Sequence, residues 1–149
     1  MRTRKTAVAA EVTAESRKGS GALPVPRGVP AKLPPRRPTT TYGPKIVGPD
    51  GQHRVHVALG REREGGEVVE VWVDVVHREG APLRGFAHAL ARVASQALQH
   101  GMPYPVLVRS LLGTDGGPEG AVVDCEGISE ATSIPDLVGR VLALAGGTS

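Results

Sequence analysis

Two stretches of the chain alternate between apolar and polar residues. In HRVHVALG (His53–Gly60), Val55, Val57 and Leu59 fall on one face, and Arg54 and His56 point away. In EVVEVWVDVV (Glu67–Val76), Val69, Val71, Val73 and Val75 share a face opposite Glu70, Trp72 and Asp74. A period of two is that of a strand with one buried side. Between them, REREGG (Arg61–Gly66) is polar and ends in two glycines able to take positive φ, which predicts a hairpin loop. Trp72 on the polar face predicts that something covers that face in part.

Beyond REGAPLRG the period lengthens. FAHALARVASQALQHG predicts a helix with one stripe of Phe86, Leu90, Val93 and Ala97 and a second of Ala87, Ala91, Ala94 and Leu98 beside it. Gly101 is its natural C-terminal cap. Pro103 then suits the first turn of a second, short helix whose apolar face is Val106, Leu107 and Leu111. TDGGPEG (Thr114–Gly120) reads as a flexible loop and AVVDC as a short strand. In ATSIPDLVGRVLALA, Ser133 is the expected N-cap, with Asp136 three residues on in a capping-box pattern and a buried stripe of Leu137, Val138, Val141 and Leu142. The order predicts an α+β fold, a small antiparallel sheet with about three helices packed on one face.

Composition adds a second region. Only 3% of the 149 residues are aromatic, so the core must be mostly Val, Leu and Ala. Residues 1–45 hold ten Lys/Arg, two Glu and seven of the 13 prolines, for a net +8; residues 46–149 hold eight Arg and thirteen acids, for a net −5. A basic, Pro-rich segment with few large apolar side chains cannot offset its ordering entropy by burial. Residues 1–40 are therefore expected to be a disordered tail, dispensable for folding, ahead of a domain over 41–146. Such a tail either touches nucleic acid or simply solubilises the chain, and the lack of aromatics among its basic clusters favours the second. The early Glu11 argues against a signal peptide and no apolar run reaches membrane length, so a cytoplasmic location is expected.

The candidate chemistry is sparse. A metal held by His53, His56 and His77 is disfavoured, because His53 and His56 point to opposite faces of one strand. Glu67, Glu70 and Asp74 read as a solvated strand face before they read as a general acid/base pair. The single Cys125 excludes an internal disulfide or a Cys-pair redox site and reads as a small apolar filler. Gly113–Gly120 lacks the Lys-Ser/Thr of a phosphate loop. Arg84, His88 and Arg92, four apart each time, share a helical face and form the best small basic patch in the domain, which reads as a solvated face before it reads as a binding patch. Trp72 is either an anchor for a partner or lies under Arg78–Leu83 folded back over it.

Four blocks, in order, carry a resemblance. KLPPRRPTTTYGPKIVG, GGEVVEVWVDVVHREGAPLRG, ALQHGMPYPVLV and ATSIPDLVGRVLA resemble the C-terminal TSCPD domain region of adenosylcobalamin-dependent (class II) ribonucleotide reductases, over Lys32–Ala145. The motif positions are Gln99, Gly101 and Pro103 in the third block and Thr132, Ser133, Pro135 and Asp136 in the fourth, with Ile134 where the family name has cysteine. The resemblance implies structural roles for these residues and supplies no catalytic one. Only the basic tail precedes the match, where the family has its catalytic barrel and cobalamin site, and the chain ends at Ser149 without the family's paired cysteines. The expectation is an accessory domain that is not an enzyme on its own. It would bind no adenosylcobalamin or metal and would serve deoxyribonucleotide supply by docking on a reductase or by self-association, with Trp72, Arg84, His88 and Arg92 as candidate contacts. A nucleic-acid-binding module using the tail is the alternative.

Overall fold

The computed structural model describes residues 29–49, 51–76 and 81–146. The expectations placed on residues 1–28, on His77 and on Arg78 lie outside them. Within them the α+β reading holds. Six strands, β1 (Thr39–Tyr42), β2 (Lys45–Gly48), β3 (Gly51–Arg61), β4 (Val68–Val76), β5 (Gly120–Val123) and β6 (Glu130–Ala131), form one sheet with every pairing antiparallel. Three helices are described, α1 (Ala81–Gln99), α2 (Tyr104–Leu111) and α3 (Ile134–Ala145).

The long hairpin β3–β4 is the spine. Val55, Val57 and Leu59 lie opposite Val75, Val73 and Val71, all buried, as the alternation requires. Gly65 takes the left-handed turn of its loop with φ 68, and Gly66 does not. β1 and β2, which the alternation did not reveal, both lie on the other edge of β3, against its second and first halves. They are short and separated by Gly43 and the buried Pro44, whose carbonyl accepts the Val55 N–H at 2.9 Å. β5 continues the sheet beyond β2, where the two backbones meet closely. A Cβ on Gly120 would stand 2.1 Å from the Val47 carbonyl oxygen, so only glycine fits there.

The segment before β1 is held on the domain. The Ala31 N–H donates to the Gln99 carbonyl at 2.7 Å, and Arg37 bonds Glu70 through Nε and Nη2. β1 itself takes in Thr39 and Thr40, which composition assigned to the tail.

α1 departs most from the sequence reading. Its alanine stripe, Ala87, Ala91 and Ala94, is buried; Phe86 and Val93, expected on an apolar stripe of the core, are 76% and 67% exposed. The reason is where the helix lies. α1 runs antiparallel to β4 along the strand's unpaired edge, close enough for Ser95 to bond the strand's backbone. Ser95 Oγ accepts the Val71 N–H at 2.8 Å and donates to the Val71 carbonyl at 3.0 Å, and Gln99 Nε2 donates to the Val69 carbonyl. Only small side chains permit that approach, so the bulky stripe faces out.

The corner after α1 follows the sequence. Gly101 has φ 93; its N–H donates to Leu98 O and that of Met102 to Ala97 O, the Schellman pairing. Pro103 is the N-cap of α2, and Pro105 occupies its first turn. Leu107, Val108 and Leu111 are buried in α2; Val106, expected inward, is partly exposed. Leu137, Val138, Val141 and Leu142 of α3 fill the core as expected. α2 and α3 touch at Gly139, where a Cβ would meet Leu111 Cβ and Leu112 N at 3.0 Å. The loop Thr114–Gly120, read as flexible, is tied down: Thr132 Oγ1 and Ser133 Oγ donate to Thr114 O, and the Gly117 N–H donates to Thr132 O.

Candidate functional site

Trp72 and Asp74 are consecutive outward positions of β4, and Arg84 and His88 are consecutive turns on the flank of α1 that overhangs them. The fold brings these four together. Asp74 Oδ1 accepts from Arg84 Nε at 2.9 Å and lies 3.1 Å from His88 Nε2. Burial pushes the Asp74 carboxyl up, but the His88 and Arg84 contacts outweigh it and hold its pKa below the usual value. The His88 ring lies over Trp72 with centroids 5.2 Å apart and planes tilted by 33°. What partly covers the polar face is therefore α1 near Trp72 and Arg37 over Glu70. Trp72 still keeps 52% of its surface in solvent. Arg92, one turn beyond His88, is exposed and takes no part in the cluster.

An indole fixed by an imidazole, beside a guanidinium whose carboxylate partner is already engaged, is equipped for recognition. The cluster's carboxylate and imidazole are engaged with each other and with Arg84. The other candidates are dispersed. Glu70 pairs with Arg37, apart from Asp74, and Glu67 precedes β4. His53 is buried on the valine face and His56 stands half-buried on the other. Among the described residues no group of three or more His, Cys, Asp or Glu could hold a metal. Cys125 is half-buried against the core, and burial raises its thiol pKa.

The motif positions are joints of the fold. Gln99, Gly101 and Pro103 bind the edge of β4, end α1 and begin α2. Ser133 Oγ accepts the Asp136 N–H at 3.0 Å, and Pro135 occupies the first turn of α3. Asp136 does more than a capping box. Its fully buried carboxylate accepts the Gly113 N–H at 2.8 Å, the Thr132 N–H at 3.0 Å and Arg140 Nε at 2.8 Å. Burial pushes its pKa up, and those donors together bring it below the usual value. The reach to Gly113 leaves no mark in the sequence, whereas Arg140, four residues on, is a partner that helical spacing offers. Arg61 was also missed. Its Nη1 donates to Gly66 O and its Nη2 to Ala145 O, joining the hairpin loop to the end of α3.

The family model for the TSCPD domain matches residues 26–146. Two similar proteins are named vitamin B12-dependent ribonucleotide reductase. One, from Bradyrhizobium diazoefficiens, is 36% identical over 113 residues; the other, from Agrobacterium fabrum, is 35% identical over 113. Each alignment covers 76% of this chain and 8% of the relative, so the chain spans a small part of those proteins' length. No solved structure matches it significantly. A match over most of the chain, with the motif residues at the joints of the fold, shows that the chain belongs to the TSCPD domain family.

Proposed function

We propose that this domain acts by protein contact in the service of a vitamin B12-dependent ribonucleotide reductase, as an accessory rather than a catalytic unit. Trp72 carries the reading: a large aromatic, held by His88 and left half in solvent on the sheet face away from the core, is the kind of residue that anchors an interface. The role falls in deoxyribonucleotide supply for DNA replication, in the cytoplasm. Among the described residues the histidines do not fit a corrinoid. His88 is committed to Asp74, His100 Nδ1 lies 2.8 Å from Gln96 O, His53 is inside the core, and His56 sits mid-strand on the sheet's outer face. The cofactor's chemistry therefore belongs to the partner on this reading.

Titration against a purified B12-dependent reductase tests it. Wild type should bind, and Trp72→Ala should fold normally while binding about thirtyfold more weakly, about 2 kcal/mol, the usual hot-spot threshold. Equal binding by both would place the contact elsewhere, and no binding by either would refute the reading. The net +8 of residues 1–45 supports a second reading, a nucleic-acid-binding arm. That reading requires affinity for DNA or RNA that falls steeply with salt.

A further inference from the structure

Trp72 stands on a sheet face whose charge is one-sided. Across β1 to β4 the acids that point to this face are Glu70 and Asp74, and each is bonded to an arginine, Arg37 and Arg84. Arg54, opposite Lys45, is shared with Asp124. Lys45 on this face, and Arg92 on the α1 flank that carries Arg84 and His88, have no partner among the described residues. Glu130, on β6, is at the margin of the sheet opposite β4. The lead-in also reaches the sheet here, where Arg37 lies on Glu70, so the net +8 of residues 1–45 is tethered next to Trp72. Opposite Trp72 and Glu70, β3 carries only Ala58 and Gly60, and Thr41 follows Ala58 on β1. None of the three has a side chain large enough to cover an indole. His88 lies against the ring, and about half of Trp72 remains in solvent.

From the open indole and the bonded acids beside it we propose that this face binds single-stranded nucleic acid, with a base stacked on Trp72 and phosphates at Arg92 and Lys45. Every base has a flat face that an exposed indole can hold, and cations free of partners draw the backbone. By strand geometry Lys45 stands about 16 Å from Trp72, two strands over and four residues along, a distance of a few nucleotides. A duplex keeps its bases in the stack and presents phosphates alone. A glutamate-rich peptide meets the same cations but brings no ring to the indole. The proposal goes beyond the reductase reading and rests on that of the basic arm. Residues 1–41 hold no aromatic, and the sheet supplies the one that the arm lacks.

Trp72 is the single tryptophan, so its emission reports the site directly. An oligothymidylate of about 20 nucleotides should quench the emission of the full chain, with an affinity that falls steeply with salt. A duplex of the same length, polyphosphate and polyglutamate should leave the emission unchanged. Trp72→Ala should bind the oligonucleotide about tenfold more weakly, and Trp72→Phe should recover most of the loss, both with melting temperatures within a few degrees of wild type. Lys45→Gln with Arg92→Gln should flatten the salt dependence. Quenching by the duplex or by polyglutamate equal to that by the oligonucleotide would overturn the proposal. Oligonucleotide binding that leaves the emission unchanged, or that Trp72→Ala does not weaken, would refute the face and leave the arm as the binder. No binding at any salt would refute both. Reductase binding without oligonucleotide binding refutes this proposal alone, and the reverse refutes the proposed function alone. Both use the same indole, so a bound strand should exclude the reductase. Simultaneous binding would refute whichever contact Trp72→Ala leaves intact.

Discussion

Asp136 shows how much one side chain can hold. Its carboxylate joins the start of α3, the end of the α2 turn and Thr132 through three charge-assisted bonds, with no exposure to water. Asp136→Asn keeps the shape but removes the charge and turns one acceptor into a donor. It should cost about 2–3 kcal/mol at neutral pH, as expected for hydrogen bonds to a charged group. The pH dependence has a defined sign. The folded-state pKa lies below the unfolded value near 3.8, so the contribution is complete well above 3.8 and is lost as pH falls through the folded value. Urea unfolding from pH 7 down to pH 2.5 should show the wild type converging on the variant, and a gap independent of pH would sink the account. At the corner, Leu107→Ala should cost about 2–4 kcal/mol because Leu107 is buried. Leu98 is only half-buried and should cost less, about 1–2 kcal/mol. Pro103→Ala should cost under about 1 kcal/mol, since its ring stiffens a turn whose bonds pass through its carbonyl. Chemical denaturation of the three would rank them, and a worst place for the proline would contradict the corner as a plain helix junction.

The elements differ in how plainly they could be read. β3, β4 and α3 were legible because each has one buried face and one partner layer, so burial follows period. β1 and β2 were not, since strands of four residues that send one large side chain each to the core, Tyr42 and Ile46, leave no period to read. α1 misled because it carries two apolar stripes, and the choice between them is made by a strand edge distant in sequence. The clue was Ser95, a polar residue among buried alanines, whose role appears only once β4 lies beside it. The four residues Trp72, Asp74, Arg84 and His88 were each visible, but that Arg84 and His88 reach Asp74 depends on how α1 crosses the strand. Ser95→Ala should therefore be among the costlier small substitutions, about 1–3 kcal/mol, because it leaves the Val71 N–H and carbonyl buried without partners. Thermal unfolding would show it, together with faster amide exchange at Val71. Gly139→Val should separate α2 from α3 by a similar or greater amount, since even a Cβ is tight there.

Over the whole molecule, contacts distant in sequence close the fold. Arg61 joins the hairpin to the last helix, and Arg37 and Ala31 fasten the incoming chain to β4 and α1. Truncations test where the domain begins. Removal of residues 1–28 should leave the melting temperature within a few degrees. Removal of 1–40 takes away the Arg37–Glu70 pair, the Ala31–Gln99 bond and half of β1, and should lower it by more than about 5 °C. Equal melting temperatures would show that the lead-in adds nothing. The bonds of Ser95 and Gln99 to β4 also bear on assembly. An open sheet margin invites any extended peptide to add itself as a further strand, the route by which proteins polymerise and by which some receptors seize their targets. At Val69 and Val71 that invitation is withdrawn, because a helix already answers the strand's backbone. A peptide that approaches β4 at Val69 and Val71 must be recognised by side chains, and a variant that frees this stretch should pair with extended peptides before it loses its fold.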